Sequence, residues 1–423
     1  MLTISSGIND GIQSPVEPDL DRATIGDIAT SDQTEVRVEE TASAKNDFPR
    51  PWKQPIRFIF RVASTLLAFL SLILILAVLA AIPLVNIYVL GYFLNVEGRV
   101  ARTGRLRDAF PLIGVATRVV TIVVGVWICL LPLRFLASFA ADARLIDPGS
   151  RADIFAHFAL NLSWAVISAH IILALARGGT ALCFVRPFKN FSWTWRQLRS
   201  GTYFSTADAA VRGFVEKLEI RRHFWLGLRG FAVAFLWLFL PTALFSIARE
   251  PEGIQILMTI LGGFTLAVML TWAPYLQARF AAEESFRAGL QLREVRKLYA
   301  HAPLACSFNV IILFALSLPL YLFKAFLLPP EAMWPITLIF VATIYPTRIL
   351  TGWVYHVAEK RKDQGRKAHW TLRLLCSPVT LAVLGIYVFI VFFTQFLGEQ
   401  GKLVLFHHHA LLLPAPFQLS INP

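Results

Sequence analysis

Between residues 62 and 96 the chain is apolar almost without interruption. The same texture returns at about 111–136, 154–176, 225–247, 254–278, 304–328, 334–357 and 374–397. Blocks of some twenty residues have the length a helix needs to cross ~30 Å of hydrocarbon. A soluble helix would keep one polar face, and these blocks lack one. The pattern predicts an all-α fold, a polytopic transmembrane helical bundle of 8–9 spans within residues 49–400.

The first block decides between eight and nine spans. Its ~35 residues would make a helix of ~50 Å, too long for one ordinary crossing. Arg50, Lys53, Arg57 and Arg61 precede it, and Arg99, Arg102, Arg105 and Arg107 follow it, so both ends carry positive charge. A hairpin with its apex at Ala80–Pro83 satisfies both ends. Residues 62–81 then run one way and 83–97 return, with Pro83 opening the return helix and residues 95–99 snorkelling to the interface. The rival is a single kinked helix, supported by a faint repeat in which Pro83–Pro111, Pro274–Pro303 and Pro346–Pro378 are separated by 28, 29 and 32 residues. The hairpin is preferred because it avoids translocating the N-terminal tail.

The polar segments set the orientation. Basic residues crowd 97–110, 177–229, 279–303 and 358–373, whereas 134–153, 248–253 and 323–333 are poor in them. By the positive-inside rule the basic segments are cytoplasmic, which puts the N-terminus inside and the C-terminus outside. The long cytoplasmic loop 177–224 contains an amphipathic stretch from Phe204 to Leu218. Ser205 and Asp208 read there as a capping box, and Asp208 and Arg212 as an i,i+4 pair. Residues 280–299 repeat the theme. Both predict interfacial helices on anionic headgroups of the inner leaflet. Residues 1–48 hold ten acidic side chains against Arg22, Arg37 and Lys45, with little apolar periodicity, and are expected to be a disordered acidic tail. Residues 401–423 read as an external apolar tail folding back on the outer ends of the spans.

Composition agrees: 56% of residues are hydrophobic and 16% charged, against about a quarter charged in soluble domains. The net charge of +13 is explained by topology, so nucleic acid is not expected as a partner. Cys129, Cys183, Cys306 and Cys376 are isolated and suggest neither zinc nor redox chemistry. The intramembrane polar residues Arg118, His157, His170, Asn309 and Arg348, with Asn161, are the functional candidates, because burying them is costly. Arg118 and Arg348 lie near enough to the cytoplasmic interface to snorkel. His157 and His170 are nearly 20 Å apart along one helix and cannot share a ligand. His407, His408 and His409 are consecutive and point in different directions, a poor metal set. No HExxH, GxSxG or phosphate-binding loop occurs, so no catalytic residue, metal or cofactor is assigned.

Gly91-Tyr92-Phe93-Leu94 with Arg99, Gly104 and Pro111, Phe224 to Phe231 through Pro241, and the stretch His409 to Phe417 resemble uncharacterised bacterial multi-pass proteins of planctomycete type with a domain of unknown function. The resemblance implies a bacterial inner-membrane location and no activity. Two functions are expected from these readings. One is a non-enzymatic membrane-organising or scaffold component whose partners are membrane lipids, a second protein or further copies of itself. The alternative is a transporter or permease for a small or lipid-like substrate, suggested by the proline-broken helices.

Overall fold

The structure, a computed structural model, describes residues 55–247, 253–323, 333–396 and 401–414. The acidic tail expected at 1–48 and the end of the C-terminal tail lie outside them. The chain divides into two units at Thr65/Leu66. In the first, Ser64 and Thr65 donate their hydroxyls to the Arg61 carbonyl at 2.9 and 2.8 Å. All contacts discussed below belong to the second.

The described residues are helical and contain no strand. In order they form α1 (Pro55–Ala80), α2 (Val85–Thr103), α3 (Ile113–Ile146), α4 (Arg151–Ala176), α5 (Ala181–Val185), α6 (Pro187–Arg199), α7 (Tyr203–Leu218) and α8 (Ile220–Phe245). Then come α9 (Ile254–Glu283), α10 (Leu292–Tyr299), α11 (Pro303–Leu322), α12 (Met333–Asp363) and α13 (Trp370–Thr394). Among the described residues eight helices are long and apolar enough to cross a membrane. The protein is a multi-pass membrane protein of the all-α class.

Residues 81–84 break the first apolar block into two helices, and α12 gives their directions. Phe69 of α1 stacks on Tyr345, and further along α1 the Ala77 carbonyl accepts from Thr337 at 2.9 Å. On α2, Phe93 stacks on Tyr345, and further along the Ala101 carbonyl meets His356 at 3.0 Å. Thus α1 is antiparallel to α12 and α2 is parallel to it. The block is a helical hairpin. The proline repeat does not mark a common geometry: Pro83 sits in a turn, whereas Pro274, Pro346 and Pro378 lie inside α9, α12 and α13.

The return arm is the centre of the bundle. Residues from Asn86 to Ala101 are almost all buried, enclosed by α8, α9 and α12. Two glycines allow the closest approach: a Cβ on Gly91 would overlap the His223 carbonyl, and one on Gly227 would overlap the Ile87 carbonyl. Small residues let helix backbones touch, the main source of helix association where lipid removes the hydrophobic drive. Residues 95–99 were expected to snorkel. Instead Asn95 and Glu97 are 2% and 0% exposed, and only Arg99 is half-buried.

The α3–α4 hairpin packs mainly on itself and leaves Trp127, Phe135, Phe155 and Trp164 exposed, as lipid-facing helices do. Helix α3 runs ten residues past its expected end at 136. The expected loop 177–224 is helical over much of its length, as α5, α6 and α7. Asp208 and Arg212 pair at 2.8 Å as anticipated, but the capping box does not form. Helix α7 begins at Tyr203, and the Ser205 hydroxyl donates to the Thr202 carbonyl at 2.9 Å.

Basic residues gather at one end of the bundle. Arg102 donates to the Ala281 and Ala282 carbonyls at 3.2 and 2.8 Å, and Arg222 pairs with Glu219 and Glu284, each at 2.6 Å. Lys362 lies 3.6 Å from Glu294, whose carboxyl is held below its usual range by the Lys297 ammonium at 2.7 Å. These contacts bring together the ends of α2, α9 and α12, the start of α8, and α10.

Candidate functional site

Near the middle of α12, Arg348 points inward with 1% exposure. Its Nη1 donates to Glu97 Oε2 at 2.9 Å and to Gln277 Oε1 at 2.8 Å. The Glu97 side chain is fully buried. Gln277 Nε2 in turn donates to the carbonyls of Gly230 at 3.1 Å and Leu411 at 2.7 Å. One guanidinium, one carboxylate and one amide thus tie α2, α8, α9, α12 and the C-terminal segment together. The snorkelling expected of Arg348 is ruled out by its burial. Pairing compensates the desolvation that an isolated charge would suffer here. Arg348 Nε and Nη2 and Glu97 Oε1 have no hydrogen-bond partner among the described residues.

One turn along α12, Thr351 accepts from Asn309 Nδ2 at 3.1 Å, and the same amide donates to the Tyr275 hydroxyl at 3.0 Å. Tyr275 donates to the Cys306 carbonyl at 2.8 Å. Asn309 and Arg348, two of the candidates, therefore occupy adjacent layers of one polar core.

The other candidates lie elsewhere. Arg118 is exposed near the start of α3 and donates through Nε to the Gly178 carbonyl at 3.0 Å. His157 pairs with Asp153 at 2.8 Å, one turn away on α4. His170 meets the Phe184 carbonyl at 2.9 Å, and Asn161 is exposed. All belong to the α3–α4 hairpin and its following turns, so the five residues do not converge on one cavity.

The C-terminal segment goes deeper than a tail resting on the outer ends of the helices. Val404, Leu405, Leu411 and Leu412 are buried within the main apolar core. His408 lies between the Thr242 and Tyr321 hydroxyls at 3.1 and 3.4 Å. The His409 ring meets Phe340 edge-on at 4.8 Å, and its Nδ1 bonds the Leu413 carbonyl at 3.1 Å. These two imidazoles act as wedges, and they are directed at different partners.

Glu97 and Gln277 escaped the sequence reading. Glu97 fell within residues 95–99, which were assigned to the interface to complete a short return arm. Gln277 was a neutral amide at the end of a long apolar block, although a polar residue inside a span is itself a signal.

A second polar site lies beside α2. His223 Nδ1 donates to the Leu218 carbonyl at 2.9 Å, so its Nε2 accepts from Asn95 Nδ2 at 3.1 Å. Asn95, Arg99, Arg118, Lys217, Glu219 and His223 line a cavity of about 800 Å³, with Pro111, Leu112, Val115 and Phe214 as apolar walls.

Comparison with known proteins finds one similarity, over part of the chain. A family model described as "Protein of unknown function (DUF4013)" matches residues 196–328. That stretch runs from the end of α6 through α11, and includes Gln277, His223 and Asn309 but neither Glu97 nor Arg348. No curated protein and no solved structure matches the chain.

Proposed function

We propose that this is a non-enzymatic, membrane-organising protein of a bacterial inner membrane, which collects anionic lipid at its cytoplasmic face. The observation that carries the reading is the segregation of charge. The bundle brings the basic segments around Arg102, Arg222, Arg279 and Lys362 to one end. Positive charge beside a span favours the cytoplasmic side and attracts anionic headgroups, each residue contributing ~1 kcal/mol near the surface. On this reading the N-terminus is inside, α1 and α2 cross as a hairpin, and the C-terminal segment enters from outside. The core supports a rigid organiser, because Arg348 is held by partners from two other helices.

Lipid retention tests the proposal. Protein purified from vesicles of equal phosphatidylglycerol and phosphatidylcholine should carry several-fold more of the former, quantified by mass spectrometry. Equal retention refutes it. A permease draws support from the charged pair at the centre and the proline-bearing helices. It requires solvent access to that layer, so a Thr351→Cys variant would react with small thiol reagents. An organiser keeps that cysteine protected.

A further inference from the structure

We infer that the cavity between α2, the start of α3 and the α7–α8 junction binds a phosphate ester whose alcohol carries a hydroxyl or ammonium donor. The phospholipid headgroup is the nearest source of that chemistry. Three cations line the cavity: Arg99 of α2, Arg118 of α3 and Lys217 of α7. They come from three helices, and only the folded chain brings them together. Neither the Arg99 nor the Lys217 side chain makes a hydrogen bond or ion pair within the described residues. Arg118 uses Nε on the Gly178 carbonyl, which leaves its terminal nitrogens for a ligand. The one carboxylate of the lining, Glu219, is engaged by Arg222 at 2.6 Å. The cavity therefore has an excess of positive charge that its own acid does not neutralise.

Asn95 supplies the second recognition element. It is 2% exposed, and its orientation is fixed because His223 Nε2 accepts from its Nδ2. Its Oδ1, an acceptor, has no partner among the described residues. A bare anion would not satisfy that atom. An ester with a donor on its alcohol would do so while its phosphate oxygens met the cations, which form charge-assisted bonds. Pro111, Leu112, Val115 and Phe214 provide apolar surface where a glyceride backbone or acyl chain would pass. The site rests on the anionic-lipid reading above and narrows it to one cavity.

Titrating the full-length protein in nonionic detergent with dihexanoyl phosphatidylglycerol, dihexanoyl phosphatidylcholine, glycerol phosphate and inorganic phosphate tests the assignment. The glycerol lipid should bind more tightly than the choline lipid, which lacks a donor, and more tightly than inorganic phosphate. Lys217→Gln and Arg99→Gln should each weaken it by about tenfold, and Lys217→Arg should restore it. Arg144→Gln, at the far end of α3, should leave it unchanged. Lys217 is exposed, so its substitution does not threaten folding. Glycerol phosphate binding as tightly as the lipid would support the pocket with a soluble ester as occupant. Wild-type affinity in both glutamine variants would overturn the pocket but leave the anionic-lipid reading standing. No binding of any probe by the wild-type protein would overturn both.

Discussion

Replacing Glu97 by Leu removes the charged partner of a guanidinium that is 1% exposed. Breaking a buried pair from one side typically costs ~3–5 kcal/mol, because the remaining charge stays desolvated. Here Gln277 Oε1 still accepts from Arg348 Nη1, so about 3 kcal/mol is expected. Arg348→Met leaves Glu97 buried without a cation and should cost a similar amount. The informative variant is the double replacement, Glu97→Leu with Arg348→Met. Apolar residues of similar volume remove both desolvation penalties and are often neutral or stabilising. The remaining cost is the orphaned Gln277 Oε1, ~1–3 kcal/mol. The double variant should therefore be no less stable than either single, with a coupling of ~3 kcal/mol or more. Unfolding in mixed micelles titrated with dodecyl sulfate and followed through the 11 tryptophans measures the cycle. Additivity of the two singles within ~0.5 kcal/mol would refute the claim that the pair is one unit.

Two further outcomes follow from the same structure. Leu411→Ala, at a site with 0% exposure beside the Gln277 bond, should destabilise by ~2–4 kcal/mol, while Leu403→Ala, at 54% exposure, should stay within ~0.5 kcal/mol. Equal effects in the unfolding assay would mean the C-terminal segment is not part of the core. Single cysteines in the N-terminal tail and at Gly104 should resist an impermeant thiol reagent added outside intact cells, while one at Gly149 reacts. Labelling of the tail cysteine would overturn the cytoplasmic N-terminus and with it the double crossing of α1 and α2.

What the sequence determined is the class of the protein. Continuous apolar blocks of helical length that lack the alternation of a barrel strand require helices in lipid, and eight helices among the described residues meet that standard. The break near Pro83 was legible from length and from the charge at both ends of one block. The pairing of Asp208 with Arg212 was legible from spacing alone, because i,i+4 neighbours meet on any helix. Tertiary structure decided which polar residues matter. Hydropathy ranks α2 low because it contains Asn86, Asn95 and Glu97. It is nevertheless the most enclosed helix, since each of α8, α9 and α12 packs on it through small residues or polar bonds. Arg348 looked able to reach the interface because sequence gives depth along a helix but not the direction a side chain faces. Its partners are 251 and 71 residues away, and no local pattern encodes them. The C-terminal segment was recognisably apolar, but apolar character does not distinguish resting on a bundle from entering it. Only packing places the Leu411 carbonyl within reach of Gln277, where a buried amide requires an acceptor.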